Sequence, residues 1–162
     1  MLLPLIGFRN HKEVVVDYAI VDDEDSYLNQ YSWCKLTNGY ARTSYLENGK
    51  KVYVQLHRMV VSAKDGQIVD HINRVKLDCR KENLRFCTTQ QNARNRNNTK
   101  NKMHSEYRGV TFCKHHKKYK SQITVDNKNI LIGYYSDEVE AAKARDKKSI
   151  ELFGEFAVLN FG

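Results

Sequence analysis

The sequence has no apolar run near the ~20 residues that a membrane-spanning helix needs, and no basic segment precedes its apolar start, "MLLPLIGF". That start therefore reads as a first strand and not as a secretory signal. The four cysteines, Cys34, Cys79, Cys87 and Cys113, form no C-x-x-C pair. This excludes the spacing of a zinc ribbon or knuckle, so no structural zinc is expected. Without a secretory signal they read as free thiols in a reducing compartment, with the cytoplasm as the expected location. No internal repeat is evident, and nothing in the sequence asks for a membrane or a protein partner.

What is present is a 162-residue chain, 41% hydrophobic, enough for one domain or two small ones. Its formal charge of +8 is unevenly spread. Residues 1–92 carry 13 Lys/Arg against 11 Asp/Glu; residues 93–121 carry 9 against 1; residues 122–162 carry 5 against 7. The excess thus sits in one central block, the footprint of a polyanion partner. The alternative is a solubilising linker.

Along the chain, "EVVVDYAIVD" is β-branched and predicts a strand, and "DEDSYLNQY" predicts a short helix with acids at its start. Asn38-Gly39 and Asn48-Gly49 each lie between strand-like runs, the usual hairpin signal. "LHRMVVSA" predicts a short helix, "QIVDHI" and "NLRFCT" predict strands, and Thr88 with Gln91 three residues on fits a capping box that opens a helix. From Asn95 to Ser105 the run "NRNNTKNKMHS" has one apolar residue, Met103, and cannot build a core. The expected division is therefore 1–95, a basic linker 96–106, and 107–162. The last part offers three β-rich runs and then "DEVEAAKARDKKSIELFG". There Val139, Ala142, Ala144, Ile150 and Phe153 recur at roughly helical spacing, and Gly154 is a natural stop. Arg145 and Lys147 are expected on its solvent face.

Within "VDHINRVKLDCRKENLRFCTTQQNARNRN", Asp70-His71, Asn83 and Asn92 stand out. Asp carboxylate and Asn amide oxygens are hard donors for a divalent cation, and a neutral His can deprotonate water near pH 7. Adjacent residues on a strand face opposite ways, so Asp70 and His71 cannot share one job unless the strand bends. The other reading is a loop dipeptide with turn asparagines. Residue types alone leave both open. Cys113 with His115 and His116 has no fourth ligand near in sequence, and adjacent turn histidines seldom converge on one ion.

The pattern "VDHIN…KLD.R.ENLR…T…QNARN" resembles the HNH endonucleases, in their zinc-free homing-endonuclease-like branch. The N-terminal "YAIVDDED…W…NGYA" is similar to the segment before this motif in phage-type members, which implies a host-cell cytoplasm if the chain is phage-encoded. The resemblance implies a ββα-metal module in which Asp70 and Asn92 are metal ligands and His71 is the general base. It implies that Asn83 pins the loop and orients His71. The cation would be Mg²⁺ or Mn²⁺, the substrate double-stranded DNA, and the product ends 5′-phosphate and 3′-hydroxyl. His57 and Arg58, in "LHR", are carried over as framework or phosphate-facing residues. Arg74 stands where that family often has Gly, and Cys79 where it often has Asn. Arg74 is thus expected to strain the turn after Asn73, and Cys79 to remove a side chain able to cap the loop.

The second half, "YRGVTF…KYKSQI……LIGYYSDEVEAAKARDKKSIELFGEFAVLNF", resembles the plant apetala/ethylene-response-factor DNA-binding domain. That implies a three-stranded antiparallel sheet laid in the major groove and backed by one helix, a ribbon the groove admits. Candidates for phosphate and base contacts there are Arg108, Lys114, Lys118, Lys120 and Gln122, joined by Arg94, Arg96, Lys100 and Lys102 of the basic block. Tyr119 stands where that family usually has Trp. Gly109, Gly133, Ala141, Ala142, Asp146 and Asn160 match its framework positions.

The sequence thus predicts an α+β chain: a ββα-metal nuclease module, then a three-stranded sheet plus one helix. The function expected is metal-dependent DNA cleavage. A non-catalytic DNA-binding regulator is the main rival, and a structured-RNA nuclease a weaker one.

Overall fold

Strand-length runs of alternating burial dominate the computed structural model, which describes residues 1–95 and 105–161. The chain divides into Met1–Asn92 and Ala93–Gly162. Both units are α+β.

In the first unit, β1 (Leu2–Arg9) and β2 (Lys12–Ile20) pair antiparallel. Asn10 and His11 both take positive φ (50° and 61°), as a tight two-residue hairpin turn requires. Leu3, Leu5 and Ala19 turn inward and are buried. The acid-led helix is realised as a 3₁₀ helix over Asp23–Gln30, whose Leu28 is buried and whose carbonyl accepts the Trp33 indole N–H at 2.9 Å. β3 (Cys34–Lys35), β4 (Ala41–Glu47) and β5 (Lys50–Gln55) form an antiparallel sheet in that order, both asparagine-glycine turns falling between paired strands. α1 (Leu56–Val60) buries Leu56 and Val60 against the same core.

β6 (Ile68–His71) and β7 (Leu84–Cys87) make a separate antiparallel pair in which Asp70 faces Arg85 and His71 faces Leu84. Val69 and Leu84 anchor it in the core with Leu3, Leu5, Trp33 and Leu56. α2 (Thr89–Asn95) opens with the expected capping box. The Thr88 N–H donates to Gln91 Oε1 at 2.7 Å, and the Gln91 N–H donates to Thr88 Oγ1 at 3.2 Å. The division between units falls inside α2, after Asn92, three residues before the expected boundary.

In the second unit, β8 (Val110–Cys113), β9 (Lys118–Val125) and β10 (Lys128–Tyr135) form an antiparallel sheet with β9 in the middle. α3 (Glu138–Phe153) starts at Asp137, whose carboxylate accepts the Glu140 N–H at 2.9 Å, and stops at Gly154, φ 52°. Ala141 and Ala142 are fully buried, so the helix comes close enough for Ser121 Oγ to donate to the Ala141 carbonyl at 2.8 Å. Gly109 has φ 77°, and a Cβ there would lie 2.5 Å from the Gln122 carbonyl. Only glycine fits that approach.

The buried face of α3 is not the expected one. Arg145 is buried rather than solvent-facing, with Asp146 and Ser149, whereas Ile150 is half exposed. The cause is polar. Asp146 accepts the backbone N–H of Asn160 (2.6 Å) and Phe161 (3.0 Å) and the Asn160 side-chain amide (3.0 Å). Asn160 in turn accepts the Arg108 N–H at 2.7 Å, while Arg145 donates to Asp146 and to the Val158 carbonyl. These bonds tie the end of the chain to the start of the sheet, and apolar periodicity could not register them.

Between β6 and β7, Arg74 adopts φ 67°, a left-handed conformation that favours glycine. Arg74→Gly and Arg74→Ala both delete the side chain and differ only in backbone freedom. Arg74→Gly should therefore be the more stable by about 1 kcal/mol, read from urea unfolding of the two variants. Equal stabilities would contradict the strained turn.

Candidate nuclease site

The polar set is built on the β6–β7 hairpin. Asn83, buried just before β7, accepts the Asn73 N–H on Oδ1 at 2.9 Å. Its Nδ2 donates to Asn73 Oδ1 at 3.0 Å and to the Asp78 carbonyl at 2.7 Å. Asn73 closes the same loop, with Oδ1 accepting the Val75 N–H and Nδ2 donating to Asp78 Oδ2, both at 2.8 Å. Asp78 is also paired with Arg80 at 2.9 Å, and that hydrogen bond holds its carboxyl below the usual value. Asn83 is thus bonded to both Asn73 and Asp78 of the loop. Its backbone carbonyl also accepts the Ile72 N–H at 2.9 Å, directly after His71.

Cys79 is not the missing cap. It is fully buried, and its N–H donates to the Ile20 carbonyl at 2.8 Å while the Ile20 N–H donates to Leu77 at 2.7 Å. The loop is capped by Asn73 and Asp78 instead. Cys79 belongs to the core, where burial pushes its thiol up to about 12.

His71 and Asp70 are both buried and have different neighbours. The His71 ring lies 5.0 Å edge-on to His57 and 5.9 Å from Tyr40, with Nε2 at 3.8 Å from the Cys79 sulfur. Burial lowers its pKa below the ordinary value, against the pull of Asp70 and Asp78, so the ring is neutral near pH 7. Asp70 Oδ2 is ion-paired with Arg85 across the strands, at 3.0 Å from Nη2 and 3.1 Å from Nε. Burial and the Asp70 charge raise the Cys87 thiol, and Asn92 lies on α2, where its N–H donates to the Thr88 carbonyl at 3.0 Å. Two hard oxygen donors of this kind fit a divalent cation.

Sequence reasoning missed Arg85. Antiparallel pairing of "VDH" with "LRF" would have placed it opposite Asp70. It also missed Tyr40, whose ring lies beneath the Lys76 ammonium at 4.9 Å and beside His57 at 5.1 Å. His57 is buried, and Arg58 donates to the Gln67 carbonyl at 2.6 Å and the Lys64 carbonyl at 2.9 Å, closing the loop before β6. A second acidic group, Asp22, Glu24 and Asp25, converges elsewhere in this unit, with the Lys81 ammonium on Glu24 and Asp25.

In the second unit, alternation along β9 puts Ser121 and Ile123 in the buried interior. Lys118, Lys120 and Gln122 therefore share the opposite face. Register extends that face to Thr111 and Tyr134, both opposite Lys120, and to Leu131, opposite Gln122. Lys114 is exposed just past β8. Arg108 donates to the Arg94 carbonyl at 3.0 Å, and the Arg94 guanidinium lies 4.2 Å from the centre of the Phe153 ring. Arg96, Lys100 and Lys102 lie outside the described residues. His115 meets His116 edge-on and His116 lies tilted against Tyr134, with centroids 4.8 and 4.4 Å apart, and among the described residues they do not converge with Cys113 as ligands. No helix among the described residues is long and apolar enough to cross a membrane.

Burial, together with the His71 and Arg58 charges, pushes His57 down from 6.5 to about 3. The unfolded chain then binds a proton that the folded chain refuses, so stability falls as pH drops through this window. His57→Gln should flatten the stability-against-pH curve from about pH 6 to about pH 4 by roughly 1 kcal/mol per unit, measured by urea unfolding. An unchanged slope would contradict a neutral, buried His57.

The model of the HNH endonuclease family matches residues 54–94, a stretch that contains Asp70, His71, Asn83 and Asn92 as well as His57 and Arg58. An uncharacterized HNH endonuclease of Acanthamoeba polyphaga mimivirus is 33% identical over 144 residues, covering 85% of this chain and 71% of that protein. Among solved structures, the HNH homing endonuclease I-HmuI, described for DNA binding and cleavage, matches with 28% identity and a TM-score of 0.37 over 40% of each chain. With a relative of that identity and reach, and a family model centred on this hairpin, the chain belongs to the HNH endonuclease family.

Proposed function

We propose that the chain is a metal-dependent DNA endonuclease in which His71 is the general base, and that its second unit is an apetala/ethylene-response-factor-like module binding duplex DNA. The observation that carries the first part is the hairpin. A neutral, buried His71 follows Asp70 on β6, in a loop pinned by Asn83, within the stretch that the family model matches. His71 takes a proton from water at a ring nitrogen as that water attacks phosphorus. Asp70 and Asn92 are the residues to hold a hard cation, Mg²⁺ or Mn²⁺. When bound, it supplies charge stabilisation at the phosphate and the leaving 3′ oxygen. Arg85 sets the position of the Asp70 carboxylate, and Asn83 keeps the loop in register with the base.

The second part rests on the basic block and on the face that Lys118, Lys120 and Gln122 share. It fits the major groove, with the lysines on phosphate and Gln122 placed for base edges. A non-catalytic regulator would keep this face but have no need of the hairpin set.

His71→Ala should abolish plasmid cleavage, with a loss of ~10²–10⁴ in rate, while DNA affinity stays within about threefold. Full activity in this variant would remove His71 from the mechanism. Asp70→Ala should lose more activity than Asn92→Ala, because it removes the one formal charge of the pair, and Mn²⁺ should partly restore Asn92→Ala. Normal cleavage by Asn92→Ala at low Mg²⁺ would overturn the ligand set.

For the full chain, log affinity against log salt should lose about 0.9 of slope for each lysine removed from a phosphate. The combined Lys114→Gln, Lys118→Gln, Lys120→Gln variant should thus be shallower by about 2.7 in a fluorescence-anisotropy titration. An unchanged slope would mean this face does not meet DNA.

A further inference from the structure

Resting on the reading of His71 as the base, we propose that Cys79 is its positioning residue. The imidazole donates Nε2–H to the Cys79 sulfur, the thiol donates S–H to the Lys76 carbonyl, and Nδ1 is thereby the nitrogen that takes the proton from water. The geometry is a relay of two contacts. Cys79 Sγ lies 3.8 Å from His71 Nε2 and 3.8 Å from the Lys76 carbonyl oxygen. A carbonyl oxygen can only accept, so the single thiol hydrogen is directed to Lys76. A sulfur lone pair then faces the ring, and the ring nitrogen facing it carries the hydrogen. Which nitrogen of a histidine is protonated follows from the hydrogen bond that the other end of the ring makes.

The sulfur is held in place from several sides. Its own backbone N–H is bonded to the Ile20 carbonyl at the end of β2, and its neighbour Asp78 receives Asn73 and Arg80. Cys79 has no exposed surface, and burial keeps it a thiol rather than a thiolate. The ring it meets is also confined. The neutral His57 ring stands edge-on at 5.0 Å and the Tyr40 ring lies at 5.9 Å, so turning the imidazole over would require both to move. After Nδ1 takes the proton from water, both ring nitrogens carry hydrogen, and the bond to sulfur persists through the step. A side chain that both donates and accepts is needed here. Cysteine does both, and serine can do so over a shorter reach.

The test uses the full-length chain with ¹⁵N-labelled histidine. In the wild type at neutral pH, two-bond ¹⁵N–¹H spectra should show His71 as the Nε2–H tautomer. Cys79→Ala should turn it into a mixture and lower kcat for plasmid cleavage about tenfold, the usual scale for a residue acting through another, with KM for DNA unchanged. An Nδ1–H tautomer in the wild type would overturn the inference while leaving His71 as the base. Retention of the pure Nε2–H form in Cys79→Ala would overturn it as well. An active His71→Ala chain, by contrast, would fail the base assignment itself, and the wild-type spectrum separates the two failures without needing either variant to fold.

Discussion

The Asn83 side chain holds both ends of the loop between β6 and β7, accepting from Asn73 and donating to Asn73 and to the Asp78 carbonyl. Much of the site depends on that one amide. It offsets the left-handed backbone at Arg74, which has no glycine to make it inexpensive. It brings residues 77–79 against the end of β2, where the backbone bonds to Ile20 fix them. It thereby delivers Cys79 to the edge of the His71 ring and keeps His71 over the core rather than in water. A hydrophobic residue of similar volume could fill the space. It could not satisfy the Asn73 amide and the Asp78 carbonyl at once, and leaving such groups unpaired costs about 1–3 kcal/mol each.

Strand alternation then separates the two jobs that the sequence places side by side. Asp70 looks toward Arg85 and Cys87, while His71 looks toward Tyr40, His57 and Cys79. The two environments differ in kind. Asp70 is ion-paired with the Arg85 guanidinium. His71 lies beside the His57 ring and the Cys79 thiol, and burial favours its neutral form. The proposed roles, Asp70 as a ligand and His71 as the base, ask for this difference in surroundings.

The elements were legible where local chemistry decides them. Turn residues marked the hairpin at Asn48-Gly49, Thr88 and Gln91 marked the start of α2, and Gly154 marked the end of α3. The order of strands and helix in the second unit also followed from pattern. What pattern could not show was polar burial. Arg145 sits inside because Asp146 and the Val158 carbonyl receive it, and Arg85 matters because register puts it opposite Asp70. Cys79 looked like a deficiency in the loop because its nearest functional partner, His71, lies eight residues away in sequence. Each of these depends on a contact between separated positions, to which periodicity and spacing are blind.

The central claim is hydrolysis of DNA at the β6–β7 hairpin with a bound cation. Its most direct measurement is incubation of the purified full chain with supercoiled plasmid in Mg²⁺, with a parallel sample in excess chelator. The account predicts conversion to nicked or linear DNA in Mg²⁺, with ends that carry 5′-phosphate and 3′-hydroxyl, and none in chelator. Plasmid left intact in both samples, or cut equally in both, would contradict it.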